Sequence, residues 1–242
     1  MRLDKFLVDC GIGTRSQVKN ILKQKRVHVN GKIENSGKTK VNKELDNITL
    51  DGEKLVHETF VYYMLNKPKG VVSATYDERH KTVLDLLDQT AQSKEVFPVG
   101  RLDIDTEGLL LLTNNGPLAH ALLSPKRHIK KTYLAQIAGI MTQEDRERFA
   151  LGIQLKDFIC QPAQLNILKI NEKQQTSLVE ITIAEGKFHQ VKRMVLACGK
   201  EVTYLKRLSM GELSLDSNLN LGEFRRLNVD ELQKFNPLGV DL

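Results

Sequence analysis

Apolar positions along this chain follow two periods. Leu3, Phe6 and Leu7 make a short helical stripe that Gly11 closes, and Val18, Ile21 and Leu22 repeat at i, i+3, i+4 behind Thr14, a residue suited to N-capping. The spacing predicts a second helix from Arg15 to about residue 25. Val27-His-Val-Asn-Gly-Lys-Ile33 reads as a hairpin turning on Asn30-Gly31, and Ile48-Thr-Leu50 as a strand before the turn Asp51-Gly52. Beyond residue 58 short apolar runs dominate, predicting strands over 61–65, 71–74, 109–113, 133–138, 165–170 and 178–184. Helical stretches separate them at 83–87, 117–123, 142–151 and 188–198, and an Asn228…Glu231 capping box opens a last helix. Strands are joined mostly by turns rather than by regular crossover helices. The expected fold class is α+β, a small N-terminal α/β domain over 1–58 and a larger domain over 59–242 with a mostly antiparallel or mixed sheet and flanking helices.

Composition narrows the class. With 40% hydrophobic and 27% charged residues this is an ordinary globular chain. No apolar stretch approaches the ~18 residues of a membrane helix, so no membrane partner is expected. The start, Met1-Arg-Leu-Asp-Lys-Phe, interleaves charge with apolar residues and does not read as a signal peptide. Cys10, Cys160 and Cys198 are odd in number and lack Cys-x-x-Cys spacing, which argues against a disulfide framework and a thiolate metal site, and for a reducing cytoplasm.

Charge is unevenly placed. Residues 14–43 hold nine Lys/Arg against one acid, Glu34, whereas the whole chain is only +6. Such a patch on a nearly neutral body points to a polyanion. Arg15, Lys19, Lys23 and Arg26 fall at i, i+4, i+8 and i+11, a basic ridge almost without acidic i+4 partners; a solvated helix face is the plainer reading.

Four further segments carry chemistry. Asp103 and Asp105, with Gly108, directly precede the apolar run Leu109 to Leu112. A carboxylate against low-dielectric core is costly unless something holds it, and Arg101 is one candidate holder. On spacing alone, a solvated acidic turn in which Asp105 or Thr106 satisfies backbone N–H groups accounts for the run at least as well. In Glu185-Gly-Lys-Phe-His-Gln-Val-Lys-Arg-Met194, helical spacing puts His189, Lys192 and Arg193 opposite an apolar face; a basic surface helix fits equally. Lys126, Arg127, Lys130 and Lys131 precede Tyr133, and cations beside an aromatic suit an RNA strand with one unstacked base, although Tyr133 could also be plain core. Leu65-Asn-Lys-Pro-Lys-Gly70 marks a tight turn whose Lys67 could reach a phosphate. The six histidines show no metal-ligand spacing and no phosphate-cradling glycine loop is present, so neither metal nor nucleotide cofactor is expected.

These segments, in this order, resemble the motifs of RNA pseudouridine synthases. The likeness rests on Gly100-Arg101-Leu102-Asp103 with Thr106, Gly108 and the leucines, on the 185–194 decapeptide, on Lys131-Thr132-Tyr133 and on the 65–70 turn. It is strongest to the branch that modifies ribosomal RNA, and within it to the small-subunit enzymes. Residues 1–58 resemble an S4-type RNA-binding domain. The resemblance implies that Asp103 is catalytic, that Lys192 pairs with it, that Tyr133 stacks on the target base, and that Asp105 has no catalytic role. Ribosomal RNA, or an assembling small subunit, would be the partner of a monomeric enzyme. The ridge cations, the 126–130 run, Arg101, His189 and Arg193 would then contact RNA. The implied reaction breaks N1–C1′ of a uridine and rejoins C1′ to C5 without cofactor. Two rivals stay in view: the same reaction on large-subunit RNA, and a non-catalytic RNA-binding protein. A glycoside hydrolase built on Asp103 and Asp105 fails, since Cα atoms two residues apart lie at most about 7 Å from each other, usually on one side of a substrate.

Overall fold

The computed structural model describes residues 1–242, which fall into two units, Met1–Val61 with Asp88–Glu95, and Tyr62–Leu87 with Val96–Leu242. In the first, α1 (Leu3–Asp9) buries Leu3, Phe6 and Leu7. The Thr14 hydroxyl and the Gln17 side chain form a reciprocal capping box that starts α2 (Arg15–Lys23). This helix stops short of the expected end because Lys25 turns left-handed at φ 60°. Two hairpins follow, β1 (Val27–Val29) with β2 (Lys32–Ile33), and β3 (Ile48–Leu50) with β4 (Glu53–Lys54), in the antiparallel order β2-β1-β3-β4. Asn30 and Gly31 both have positive φ, as a two-residue type I′ turn demands. Val18 and Leu22 from α2 meet the α1 side chains, Val27, Val41 and Ile48 in one core. Truncating a residue such as Leu7 to Ala would cost about 2–5 kcal/mol. The segment Asp88–Glu95 adds α3 (Gln89–Ser93), N-capped by Asp88, an element the apolar pattern does not announce.

The second unit is built on one mixed sheet. Its strands are β5 (Tyr62–Lys67), β6 (Phe97–Pro98), β7 (Glu107–Thr113), β8 (Lys131–Ala138), β9 (Gln164–Asn171), β10 (Thr176–Ile183), β11 (Glu201–Met210), β12 (Leu213–Ser214) and β13 (Phe224–Arg226). The order is β13-β5-β7-β11-β8-β10-β9, with β6 on β7 and β12 on β11. Only β7 and β11 run parallel. Helices α4 (Gly116–Leu123), α5 (Gln143–Leu151), α6 (Gln190–Ala197) and α7 (Val229–Gln233) flank it, the last under the expected Asn228–Glu231 box. The α+β class with a mixed sheet is thus present. No helix is long and apolar enough to cross a membrane.

Two strand expectations fail. Residues 71–74 form no strand, only a single bridge from Val72 to Thr82, because the backbone bends at Ser73 and Ala74 N donates to Val72 O within the segment itself. The ten-residue β11 was not expected, since Lys206 and Arg207 interrupt its apolar pattern; yet it lies between β7 and β8 in the sheet. The β7–β11 approach requires Gly108. It has φ +102°, and a Cβ there would lie 2.2 Å from the Arg207 carbonyl oxygen.

Candidate active site

The loop between β6 and β7 carries Asp103, and it is pinned from below. Lys67, at the end of β5 and opposite Gly108 in register, is completely buried. Its Nζ donates to the carbonyl oxygens of Asp103 (3.0 Å), Thr106 (2.9 Å) and Pro68 (3.1 Å). Burial lowers its pKa to about 8, with partial relief from the Asp105, Asp103 and Glu107 charges. A phosphate contact for Lys67 is therefore corrected: strand pairing turns the ammonium inward, where only backbone oxygens are within reach. From the other side Ser73 Oγ donates to Leu102 O and accepts from Leu102 N, both at 3.0 Å.

The carboxylate itself is held by α6. Lys192 Nζ lies 3.1 Å from Asp103 Oδ2 and 2.7 Å from Asp105 Oδ1. Burial alone would lower the Lys192 pKa, but hydrogen bonds and charge from both aspartates outweigh it, and the net shift is upward. For Asp105, burial pushes up and the Lys192 ammonium pushes down harder, leaving its pKa lowered. His189 Nε2 stands 3.5 Å from Asp103 Oδ1. Arg101, the other candidate holder, is exposed at the cavity edge and forms no ion pair with Asp103, because its side chain projects to solvent.

The expected shared face of His189, Lys192 and Arg193 divides in three. His189 is not helical; it occupies the N-cap position of α6 with left-handed φ 48°, its ring stacked on exposed Phe188 at 3.8 Å between centroids. Arg193 instead pairs with Asp157 and lies 5.2 Å over the Phe158 ring.

Asp103, Lys192 and His189 line a cavity of about 340 Å³ that also receives Tyr133 from β8. Tyr133 is 9% exposed and sits between Ile181 of β10 and Arg207 of β11 in the sheet. Lys126, Arg127 and Lys130 are exposed on the turn before β8. Lys131, the fourth cation of that run, is instead buried in the cavity wall, which it shares with Thr106 and with Arg207, a residue that sequence patterning did not mark. The one available signal was the Lys-Arg pair inside an otherwise strand-like 201–210. In the first unit Arg15, Lys19 and Lys23 are exposed on α2. Arg26 leaves the ridge: the helix has ended, and its guanidinium is paired with Asp51.

A carboxylate fixed by an ammonium thus shares one cavity with a tyrosine. The RNA pseudouridylate synthase family profile matches residues 61–197, and the S4 domain profile residues 1–46. The chain belongs to the RNA pseudouridylate synthase family, a family of RNA isomerases. It is 46% identical to an uncharacterized RNA pseudouridine synthase of Bacillus subtilis over 98% of each chain. It is 39% identical to ribosomal large subunit pseudouridine synthase B of the same bacterium, covering 98% of this chain and 96% of that one. With ribosomal small subunit pseudouridine synthase A of Yersinia pestis it shares 40% identity, over 96% and 97%. A crystal structure of a pseudouridylate synthase superposes with TM-score 0.66 at 38% identity, covering 97% of this chain and 99% of that one.

Proposed function

We propose that the protein isomerises a uridine of small-subunit ribosomal RNA to pseudouridine, with Asp103 as the catalytic carboxylate, Lys192 as its counter-ion and Tyr133 as the platform for the base. The observation that carries this reading is the convergence of the three side chains, from the β6–β7 loop, α6 and β8, on one cavity of about 340 Å³. That volume is at the low end for ligand sites and suits one flipped nucleotide rather than a strand. The ammonium of Lys192 holds the Asp103 carboxylate in place at 3.1 Å, and that carboxylate either attacks C1′ or removes the C2′ proton. Tyr133 then holds the detached base, and the base filling the cavity displaces water from it. Residues 1–58 serve as the RNA anchor, with exposed Arg15, Lys19 and Lys23 set for phosphate contacts. Residues 59–242 form the catalytic domain, and the protein acts as a monomer. Lys126, Arg127, Lys130, Arg101 and His189 border the cavity or its approach and contact RNA near the target.

A second reading, large-subunit RNA as substrate, is favoured by the 39% identity to a large-subunit enzyme. Mapping pseudouridines in both ribosomal RNAs from cells with and without the gene decides. A missing modification in the small-subunit RNA is expected; a loss confined to large-subunit RNA transfers the substrate, and no loss in either removes the reading.

A further inference from the structure

Several cations of the second unit that are withdrawn from solvent are provided for by the fold. Lys67 has three carbonyl oxygens, Lys192 two carboxylates, Lys200 the Asp145 carboxylate at 2.8 Å, and Arg225 both Asp216 and Glu231. Lys131 and Arg207 differ. Arg207 is 3% exposed; its Nε donates to Leu109 O at 2.8 Å, while Nη2 is sealed from solvent with no partner. Lys131 is 8% exposed, and the one charge acting on its ammonium is the like charge of Arg207, with no carboxylate beside it. Thr106 Oγ1, also buried, is likewise unpartnered. All three line the cavity of Asp103 and Tyr133. Burial and then the neighbouring Arg207 charge lower the Lys131 pKa, a cost the fold bears with no internal return. Uncompensated donors gathered in one cavity are preorganised for an electron-rich ligand.

We propose that Arg207 and Lys131, with Thr106, form the subsite that grips the uracil ring and carries its negative charge while the ring is detached. This rests on the cavity being the uridine site. Uracil presents two carbonyl oxygens and one N–H, which match a guanidinium, an ammonium and a hydroxyl. When C1′–N1 breaks, the bonding pair leaves with the base as a uracil anion spread over N1 and the carbonyl oxygens. Asp103 meanwhile either bonds to C1′ or accepts the C2′ proton. C5 then bonds to C1′, Asp103 is released or returns its proton, and transfer of the C5 proton to N1 completes a neutral isomerisation. In either variant the anion is the species that two unpaired cations stabilise. A guanidinium at the uracil O4 also disfavours cytosine, which has an amino donor there.

Lys131→Met, Arg207→Lys and Thr106→Val test this on full-length protein, with ribosomal RNA transcripts containing uridine or 5-fluorouridine, whose base is a better leaving anion. Single-turnover conversion is read by nucleoside digestion and mass spectrometry as C5–C1′-linked product, which for 5-fluorouridine, having no C5 proton to transfer, is the C5-fluorinated adduct or its hydrate. Lys131→Met is expected to slow uridine conversion about 100-fold, with RNA KM within about threefold, and to melt no lower than wild type, because removing a buried unpaired charge does not destabilise. On 5-fluorouridine RNA the deficit should shrink to about tenfold or less, since a weaker base needs less stabilisation. Arg207→Lys and Thr106→Val should show the same narrowing; should Arg207→Lys melt early, the Lys131 variant decides alone. Near-wild-type turnover of Lys131→Met, or an equal deficit on both substrates, overturns the subsite while leaving the enzyme reading intact. A wild-type protein inactive on both ribosomal RNAs overturns that reading and this subsite with it.

Discussion

Helices α2 and α6 are of similar length, nine and eight residues, and both bury one apolar face beneath a basic one. On α2, Arg15, Lys19 and Lys23 stand exposed and without ion pairs. On α6, Lys192 is engaged by Asp103 and Asp105, and Arg193 by Asp157. The anions that Lys192 meets lie 89 and 87 residues earlier in the chain. Helical patterning is the same in the two cases; what a distant loop sets opposite the face differs. Exposed cations act by releasing counterions from a polyanion, a diffuse and salt-sensitive effect. A cation partly withdrawn from water and locked to a carboxylate acts on that one group, with little screening.

The sharpest break in the comparison is at the carboxylates. Asp105 lies nearer Lys192 than Asp103 does, so proximity to the cation does not by itself mark the reacting group. Asp103→Asn should lower turnover by roughly four orders of magnitude, as loss of an essential catalytic group does, while RNA affinity persists. Asp105→Asn, more than half exposed at its side chain, should stay within about tenfold of wild type. Tritium release from C5-labelled uridine, beside filter binding on the same RNA, checks both. A greater loss in the Asp105 variant would reassign the chemistry.

Next in size comes the contrast between the helices themselves. Lys192→Met should reduce turnover about 100- to 1,000-fold by leaving two carboxylates without their cation, and Lys192→Arg should retain more because the charge is kept. Lys23→Met should leave turnover at saturating RNA within about twofold and affect only RNA affinity. Rate against RNA concentration for the three variants separates the cases. Equal losses of kcat at positions 23 and 192 would erase the distinction drawn between the helices.

Where the sequence is legible, the cause is local. The Thr14–Gln17 box, the Asn30-Gly31 turn and the all-buried run within β7 depend on residues a few positions apart. The Asp103 loop was legible only through its likeness to a family motif, since its spacing alone reads equally as a solvated acidic turn, and Gly108 answers to the distant Arg207 backbone. What was not legible depends on tertiary pairing. β11 hides because Arg207 is polar yet buried, and its burial is decided by β7 and β8 beside it. Lys131 reads as one more cation of a basic run, although strand alternation turns it into the cavity wall. His189 reads as helical, whereas its left-handed backbone starts α6 one residue later. Lys67 gives no sign in the chain that three carbonyls await it.

Lys67 supplies a third test, one of stability. Lys67→Met removes three donors from the backbone beneath Asp103 and should cost about 2–4 kcal/mol, offset in part by relief of a buried charge. Its pH dependence has a definite sign. The folded pKa of about 8 lies below the unfolded 10.5, so between these values the unfolded chain binds more protons. Wild-type stability relative to the Met variant should therefore rise as pH goes from about 8 to 10.5, and be flat below 8. Urea melts of both proteins across that range check it; a difference that falls with pH would mean the Lys67 ammonium is not desolvated.

The smallest expected effects sharpen the comparison within the first unit. Arg15→Gln, Lys19→Gln and Lys23→Gln together remove three exposed cations, and each phosphate left without its cation should reduce the slope of log K against log salt by about 0.7–0.9. The triple variant's slope should thus be shallower by roughly two units or more, with turnover at saturating RNA unchanged. Arg26→Gln, by contrast, frees Asp51 from its partner and removes a charge already neutralised. Its slope should stay within experimental error of wild type, even though Arg26 continues the same spacing in the sequence. Filter binding over a salt series measures all of them in one experiment. A slope change for Arg26→Gln as large as that of a single ridge residue would mean that Arg26 gives up Asp51 for phosphate when RNA binds, and the ridge would then extend past the end of α2.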